Sequence, residues 1–290
     1  MGHELSPVAL ITGGASGLGL AVAKRLVELG WNLTIVDYSE KGEQIARDLG
    51  EKTLFQKANV ASYDEQAKAF SETYNKWGRL DFVYANAGIL DRADFCAATD
   101  KNSDEPPPKP DTMVVDIDLT GVIWSSYLSF HYFRKNGPVG GKLAMTSSSA
   151  GIYVSSELPL YAAAKHGIIG LARSLGKRMS ETGENITVNA IVPGLVATGI
   201  LPEDLVNSVP SQYRTPASLI VQAIENLIND ATITGQVIEC SGTDIVFRQP
   251  LPYVNRAMSH IMEGEYKDIK SSNNVLEFGV KQGSKLHVNI

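Results

Sequence analysis

Residues 8–30 read VALITGGASGLGLAVAKRLVELG. The run VALIT is apolar without alternation, the pattern of a strand buried on both faces. Glycines follow at Gly13, Gly17 and Gly19, and then Leu20, Ala23, Leu26 and Val27 fall at helical spacing up to Gly30. A strand, a glycine turn and a helix leave free backbone N–H groups at the helix amino end, where a pyrophosphate can sit. The next apolar run, NLTIVD, closes on Asp37, eighteen residues past Gly19. That separation is close to the roughly 20 residues expected before a ribose-binding carboxylate. Glycines alone also serve ordinary tight connections, and an aspartate often ends a strand in water. The three features together favour a dinucleotide. Asp37 would accept from ribose hydroxyls and repel a 2′-phosphate, and no Lys or Arg stands in the turn or directly after Asp37. NAD is therefore expected over NADP.

Outward from this stretch, strand and helix patterns alternate. The spacing predicts a helix over 40–49, a strand TLFQKANV, a helix over 62–77 and a strand LDFVYAN. Further on it predicts a long helix over 111–134, a strand KLAMTS, a helix over 157–179 and a strand ITVNAIV. A helix over 216–229 and a strand GQVIEC come last. Such alternation implies an α/β fold: one Rossmann-like, doubly wound domain with a parallel sheet of about seven strands and helices on both faces. Residues 91–110 are polar and contain PPPKP, an exposed connection. After Arg248 periodicity weakens apart from a helical stretch over 254–262, so 1–248 is expected as the nucleotide-binding and catalytic domain. Residues 249–290 would form an appendage that walls the substrate site or contacts another subunit.

Composition narrows the functional classes. The 290 residues are 43% hydrophobic and 20% charged, as in soluble globular proteins, with a net charge of −6. That charge argues against nucleic acid or an anionic membrane as the main partner. Cys96 and Cys240 form no CxxC pair, which fits a reducing compartment. MGHELSP lacks a signal pattern, HVNI is no targeting tripeptide, and no apolar run approaches roughly 18 residues. A soluble cytoplasmic protein is expected. With no HExxH, GxSxG or EF-hand pattern, neither a catalytic metal nor a serine hydrolase is expected.

The chemistry gathers in MTSSSAGIYVSSELPLYAAAKHGIIG, residues 145–170. Tyr161 and Lys165 are four apart in a helix-forming run and share one face. Ser148, thirteen positions before Tyr161, follows the strand KLAMTS. A tyrosine titrates near 10 and is a poor base at neutral pH, whereas a neighbouring cation favours its phenolate. Taken alone, Lys165 would be a solvated helix lysine, and Ser147 or Ser149 would satisfy loop backbone. His166 and His131 read as bystanders.

TGGASGLG, NAG at 86–88, Ser148 with YAAAK at 161–165, and Pro193-Gly194 together resemble the short-chain dehydrogenase/reductase family over roughly residues 6–247. The resemblance implies that Gly13, Ser16, Gly17, Leu18 and Gly19 form the dinucleotide turn. It places Asn59 and Val60 at the adenine, and Asn86, Ala87 and Gly88 at the sheet centre beside the cofactor. Pro193, Gly194, Val196 and Thr198 would lie along the nicotinamide. Tyr161 becomes the general acid/base, Lys165 its activator and ribose ligand, and Ser148 the holder of the substrate oxygen. One departure stands out: DLTG carries Asp118 where the family commonly has Asn, a residue that helps link the lysine to solvent through a water. A carboxylate there puts that relay in question. The implied reaction is hydride exchange between NAD(H) and a secondary alcohol or ketone of a bulky hydrophobic substrate, with 195–213 as an apolar lid. An NADP-dependent ketoreductase on the same site, a lyase or epimerase variant, and a non-catalytic nucleotide-binding protein are the alternatives. Family members often pair their two long helices, so a homodimer or homotetramer is expected through 111–134 and 157–179.

Overall fold

A computed structural model describes residues 6–98 and 103–263. The chain divides into two units, residues 1–248 and 249–290. In the first, β1 (Val8–Thr12), α1 (Gly17–Glu28), β2 (Asn32–Asp37), α2 (Lys41–Leu49), β3 (Thr53–Lys57), α3 (Tyr63–Trp77) and β4 (Phe82–Ala85) build one half. A long helix follows in three continuous segments: α4 (Met113–Val115), a π-helical turn (Asp116–Thr120) and α5 (Gly121–Lys135). Then come β5 (Gly141–Thr146), α6 (Pro159–Thr182), β6 (Ile186–Pro193), α7 (Glu203–Ser208), α8 (Ala217–Asn229), β7 (Val237–Ser241) and β8 (Asp244–Phe247). Within residues 249–263, α9 (Arg256–Glu263) is the helix expected over 254–262.

The sheet order is β3-β2-β1-β4-β5-β6-β7-β8, with β1 to β7 parallel. Alternate residues of β1 enter opposite cores: Val8 and Leu10 join Phe70, Leu143 and Ile168, while Ala9 and Ile11 join Leu26, Phe82 and Ile220. Burial on both sides is why VALIT shows no alternation. Strand order reverses between β1 and β4, so a crevice opens beyond their carboxyl ends, at Thr12 and after Ala85.

The seven parallel strands match the expectation, and an eighth is added where β7 turns through Gly242 and Thr243 into antiparallel β8. Gly242 has φ +57°, which suits such a two-residue hairpin turn. The helix expected over 111–134 starts at Met113 and contains the π turn, which shifts its backbone hydrogen bonds by one residue around Asp118. Among the described residues no helix is long and apolar enough to cross a membrane.

α3 and α5 are locked by a polar residue that no solvent reaches. Gln66 Nε2 donates to Val60 O (2.6 Å) and Gly121 O (2.9 Å), and its Oε1 accepts from Ser125 Oγ (2.6 Å). Gln66→Leu would strand those buried groups. It is expected to lower stability by about 2–3 kcal/mol, read as the urea midpoint; a midpoint within error of wild type contradicts this role.

Candidate active site

The β1–β4 crevice opens into a cavity of about 320 Å³. Lining it are the glycine turn (Gly13, Ser16, Gly17, Leu18), Asn86 to Gly88, Ser148, Tyr161 and Lys165, and Pro193, Gly194, Val196 and Thr198. The turn is close-packed. A Cβ on Gly19 would stand 2.2 Å from Gly13 O, and one on Gly13 would meet Ala87 Cα at 2.9 Å. Gly17 adopts φ +51° beneath Thr198. No side chain caps the α1 amino end and its first turn holds no acid, so its N–H groups and dipole are left for an anion.

Asn86 joins three pieces of backbone. Its N–H donates to Thr12 Oγ1 (3.0 Å), its Nδ2 to Thr12 O and Gly13 O, and its Oδ1 accepts from Thr146 Oγ1 (3.0 Å). Thr146 Oγ1 also lies 2.8 Å from Tyr84 OH. Burial pushes the Tyr84 phenol far up, so it stays protonated.

α6 carries Tyr161 and Lys165 into the cavity from one face. The Lys165 ammonium sits 5.3 Å from the Tyr161 ring centroid and donates to Thr146 O at 3.0 Å. Asp118 Oδ2 lies 3.0 Å from the same nitrogen, with both side chains buried. The approach is an ion pair outside hydrogen-bond geometry, so Oδ2 accepts no hydrogen bond, while Oδ1 accepts from Ile89 N–H at 2.8 Å. Gly88 permits this arrangement, because a Cβ there would lie 2.6 Å from Asp118 Oδ2. Burial raises the Asp118 carboxyl above its ordinary range, with Asp91 adding to the rise; Lys165 and the Ile89 N–H oppose it. Ser148 Oγ accepts from Ala150 N (3.2 Å) and keeps its own proton to offer. Its neighbour Ser147 is structural, donating to Lys165 O at 2.8 Å. His166 bonds to Ala162 O of its own helix.

Five expected residues do not line this cavity: Gly19, Asp37, Asn59, Val60 and Asp118. Asp37 ends β2 and already accepts from Ala15 N–H (3.0 Å) and Ser39 N–H (2.9 Å). Asn59 Oδ1 accepts from Ala61 N–H, and the Val60 carbonyl is taken by Gln66. Of the apolar wall, Ile200 and Leu201 fall in the segment expected as a lid, whereas sequence reasoning missed Leu90, Leu158 and Asp91. Asp91 takes the Leu160 and Tyr161 N–H groups from about seventy residues away. The proline-rich stretch is exposed and outside the lining, and residues 99–102 lie outside the described residues.

A doubly wound sheet with a glycine turn and a Ser–Tyr–Lys cavity defines a Rossmann-type α/β protein. A family model described as short chain dehydrogenase matches residues 7–206. Short-chain dehydrogenase/reductase prx7 of Penicillium rubens is 35% identical over 271 residues, covering 85% of this chain and 95% of its own. Human 15-hydroxyprostaglandin dehydrogenase (NAD(+)) is 34% identical over 206 residues, 69% of this chain and 71% of that protein. Among solved structures, levodione reductase aligns at TM-score 0.70 and 27% identity, over 81% of this chain and 96% of that one. A Brucella melitensis 3-ketoacyl-(acyl-carrier-protein) reductase complexed with NADH shares the fold at TM-score 0.71 and 23% identity, over 82% and 98%. The chain belongs to the short-chain dehydrogenase/reductase family of oxidoreductases.

Asp118 makes stability depend on pH in a defined direction. Its folded-state pKa is raised, so the stability it contributes is fully present below the unfolded value of about 3.9. That contribution is lost as pH rises through the folded value. In urea titrations, wild-type stability minus that of Asp118→Asn is therefore expected to fall as pH rises from about 4. A difference that grows with pH contradicts the assignment.

Proposed function

We propose that the protein is an NAD-dependent dehydrogenase that oxidises a secondary alcohol on a bulky hydrophobic substrate. The observation that carries this reading is the placement of Ser148, Tyr161 and Lys165 on one cavity with the glycine turn. NAD⁺ would supply the redox chemistry, taking a hydride from the alcohol carbon. The fit rests on the uncapped, acid-free α1 amino end for the pyrophosphate. It rests also on Asp37, whose two carboxylate oxygens each keep a lone pair toward ribose hydroxyls beyond their backbone bonds. A 2′-phosphate would meet that carboxylate as a like charge, which favours NAD over NADP.

The remaining roles fall to side chains. Ser148 Oγ–H holds the substrate oxygen, and Tyr161 takes its proton as the carbonyl forms. Lys165 places a positive charge beside the phenol, and Asp118 and Thr146 O hold Lys165 there. Asp118, not an amide, then determines how the proton leaves through Lys165. Leu90, Leu158, Leu195, Ile200 and Leu201 line the substrate end and exclude water from it. Leu195 and Ile200 belong to the segment before α7 that reads as a lid. Family relationship to a dehydrogenase that names NAD(+) supports the same direction and cofactor. We place the working form as a cytoplasmic homodimer or homotetramer; exposed Ile123 and Tyr127 on α5 support a helix-to-helix contact.

The test incubates pure protein with NAD⁺ or NADP⁺ and secondary alcohols from 2-octanol to sterol size, following absorbance of the reduced cofactor. Turnover with NAD⁺ is expected; no signal with any alcohol favours a non-catalytic nucleotide-binding role. Tyr161→Phe should lose at least about 100-fold in kcat while NADH fluorescence titrations stay unchanged. Asp118→Asn should keep substantial activity with a shifted pH profile, and an unshifted profile counts against its part in the relay.

A further inference from the structure

The amino end of α6 has no cap of its own. Leu158 stands at its N-cap position with no side-chain hydrogen bond, Pro159 opens the first turn, and no acidic residue lies in that turn. Its exposed N–H groups are nevertheless satisfied. Asp91 Oδ1 accepts from Tyr161 N–H at 2.7 Å, and Asp91 Oδ2 accepts from Leu160 N–H at 3.1 Å. Asp91 belongs to the connection after β4, directly beyond the cavity residue Leu90. It is therefore a cap delivered across space from the opposite wall of the site.

We infer that Asp91 is a positioning residue for Tyr161. Its carboxylate fixes the backbone from which the phenol projects, and it closes the cavity wall at Leu90 onto the catalytic helix. Both N–H bonds are charge-assisted and so are the stronger class of hydrogen bond. A carboxylate at a helix amino end also offsets the helix dipole. The negative charge also reaches Asp118 on the π turn, whose carboxyl Asp91 helps to raise. On its own segment, Arg92 pairs with Asp111 (3.5 Å) and Asp94 accepts from Cys96 N–H. The inference rests on Tyr161 being the acid/base group of the reaction proposed above.

Asp91→Ala and Asp91→Asn separate the cap from its charge, with the full chain as the protein. Amide hydrogen exchange at Leu160 and Tyr161 needs no turnover. Asp91→Ala should speed it about tenfold or more at both, whereas Asp91→Asn, which retains one oxygen acceptor and turns its amide nitrogen to the other N–H, should keep protection at one of the two. The second readout is rescue, with Asp91→Asn expected to recover part of the kcat that Asp91→Ala loses. Where turnover is measured, Asp91→Ala should lower kcat about tenfold with NADH binding unchanged. Unaltered exchange in Asp91→Ala overturns the cap, and an Asp91→Asn kcat as low as that of Asp91→Ala overturns the role of its acceptor oxygen. Parallel loss of NADH binding and turnover reduces Asp91 to general stability and overturns the inference. If no alcohol reacts even with wild type, the proposed reaction fails, while exchange still decides the capping role of Asp91.

Discussion

The site depends on one buried cation. Lys165 is withdrawn from water, and an ammonium in that position costs several kcal/mol unless its donors are met. One donor is met by the carbonyl of Thr146 at the end of β5, and Asp118 on the π turn supplies the opposite charge at 3.0 Å. This requirement ties three separate elements to one nitrogen. It explains why residue 88 is glycine, since any Cβ would press on Asp118. Ile89 N–H then completes the carboxylate from the same connection. The catalytic helix, the sheet centre and the long helix are thus held in register by a charge pair.

That pair also fixes the chemistry available at residue 118. An amide at residue 118 would be neutral and could both donate and accept; the carboxylate can only accept while ionised. It sits in a place where burial favours its protonated form and Lys165 favours its ionised one.

Much of this was legible in the sequence because burial writes periodicity. β1 lies between two cores, so its run is unbroken; α1 and α6 carry their apolar faces at helical spacing. The glycine turn was legible because close approach tolerates no Cβ at Gly13 or Gly19. β8 was not, since Asp244–Phe247 is short and mostly exposed and so carries no apolar signal. The π turn changes which backbone groups pair without altering side-chain pattern. Asp91 escaped because its partners are local to α6 and distant in sequence; only the missing cap before Pro159 hinted at an outside donor of charge. Asp118 was visible as a departure, but its burial and its contact with Lys165 required the fold.

The two helices that face the cavity end in opposite electrical states, and the difference follows from their sequences. α1 begins on a glycine turn with no acid and no side-chain cap, so its partial positive charge and unpaired N–H groups remain open toward the cleft. α6 begins on Leu158 and Pro159, equally without a local acid, but Asp91 closes it from across the site. One amino end is left to an anion, and the other is neutralised before any ligand arrives. If α6 were open as well, an anionic group could settle against the first turn that carries Tyr161. With Asp91 in place, the only amino end presented uncapped among these two is the one at the glycine turn. The same carboxylate that orders the catalytic helix therefore helps determine where in the cleft negative charge can bind.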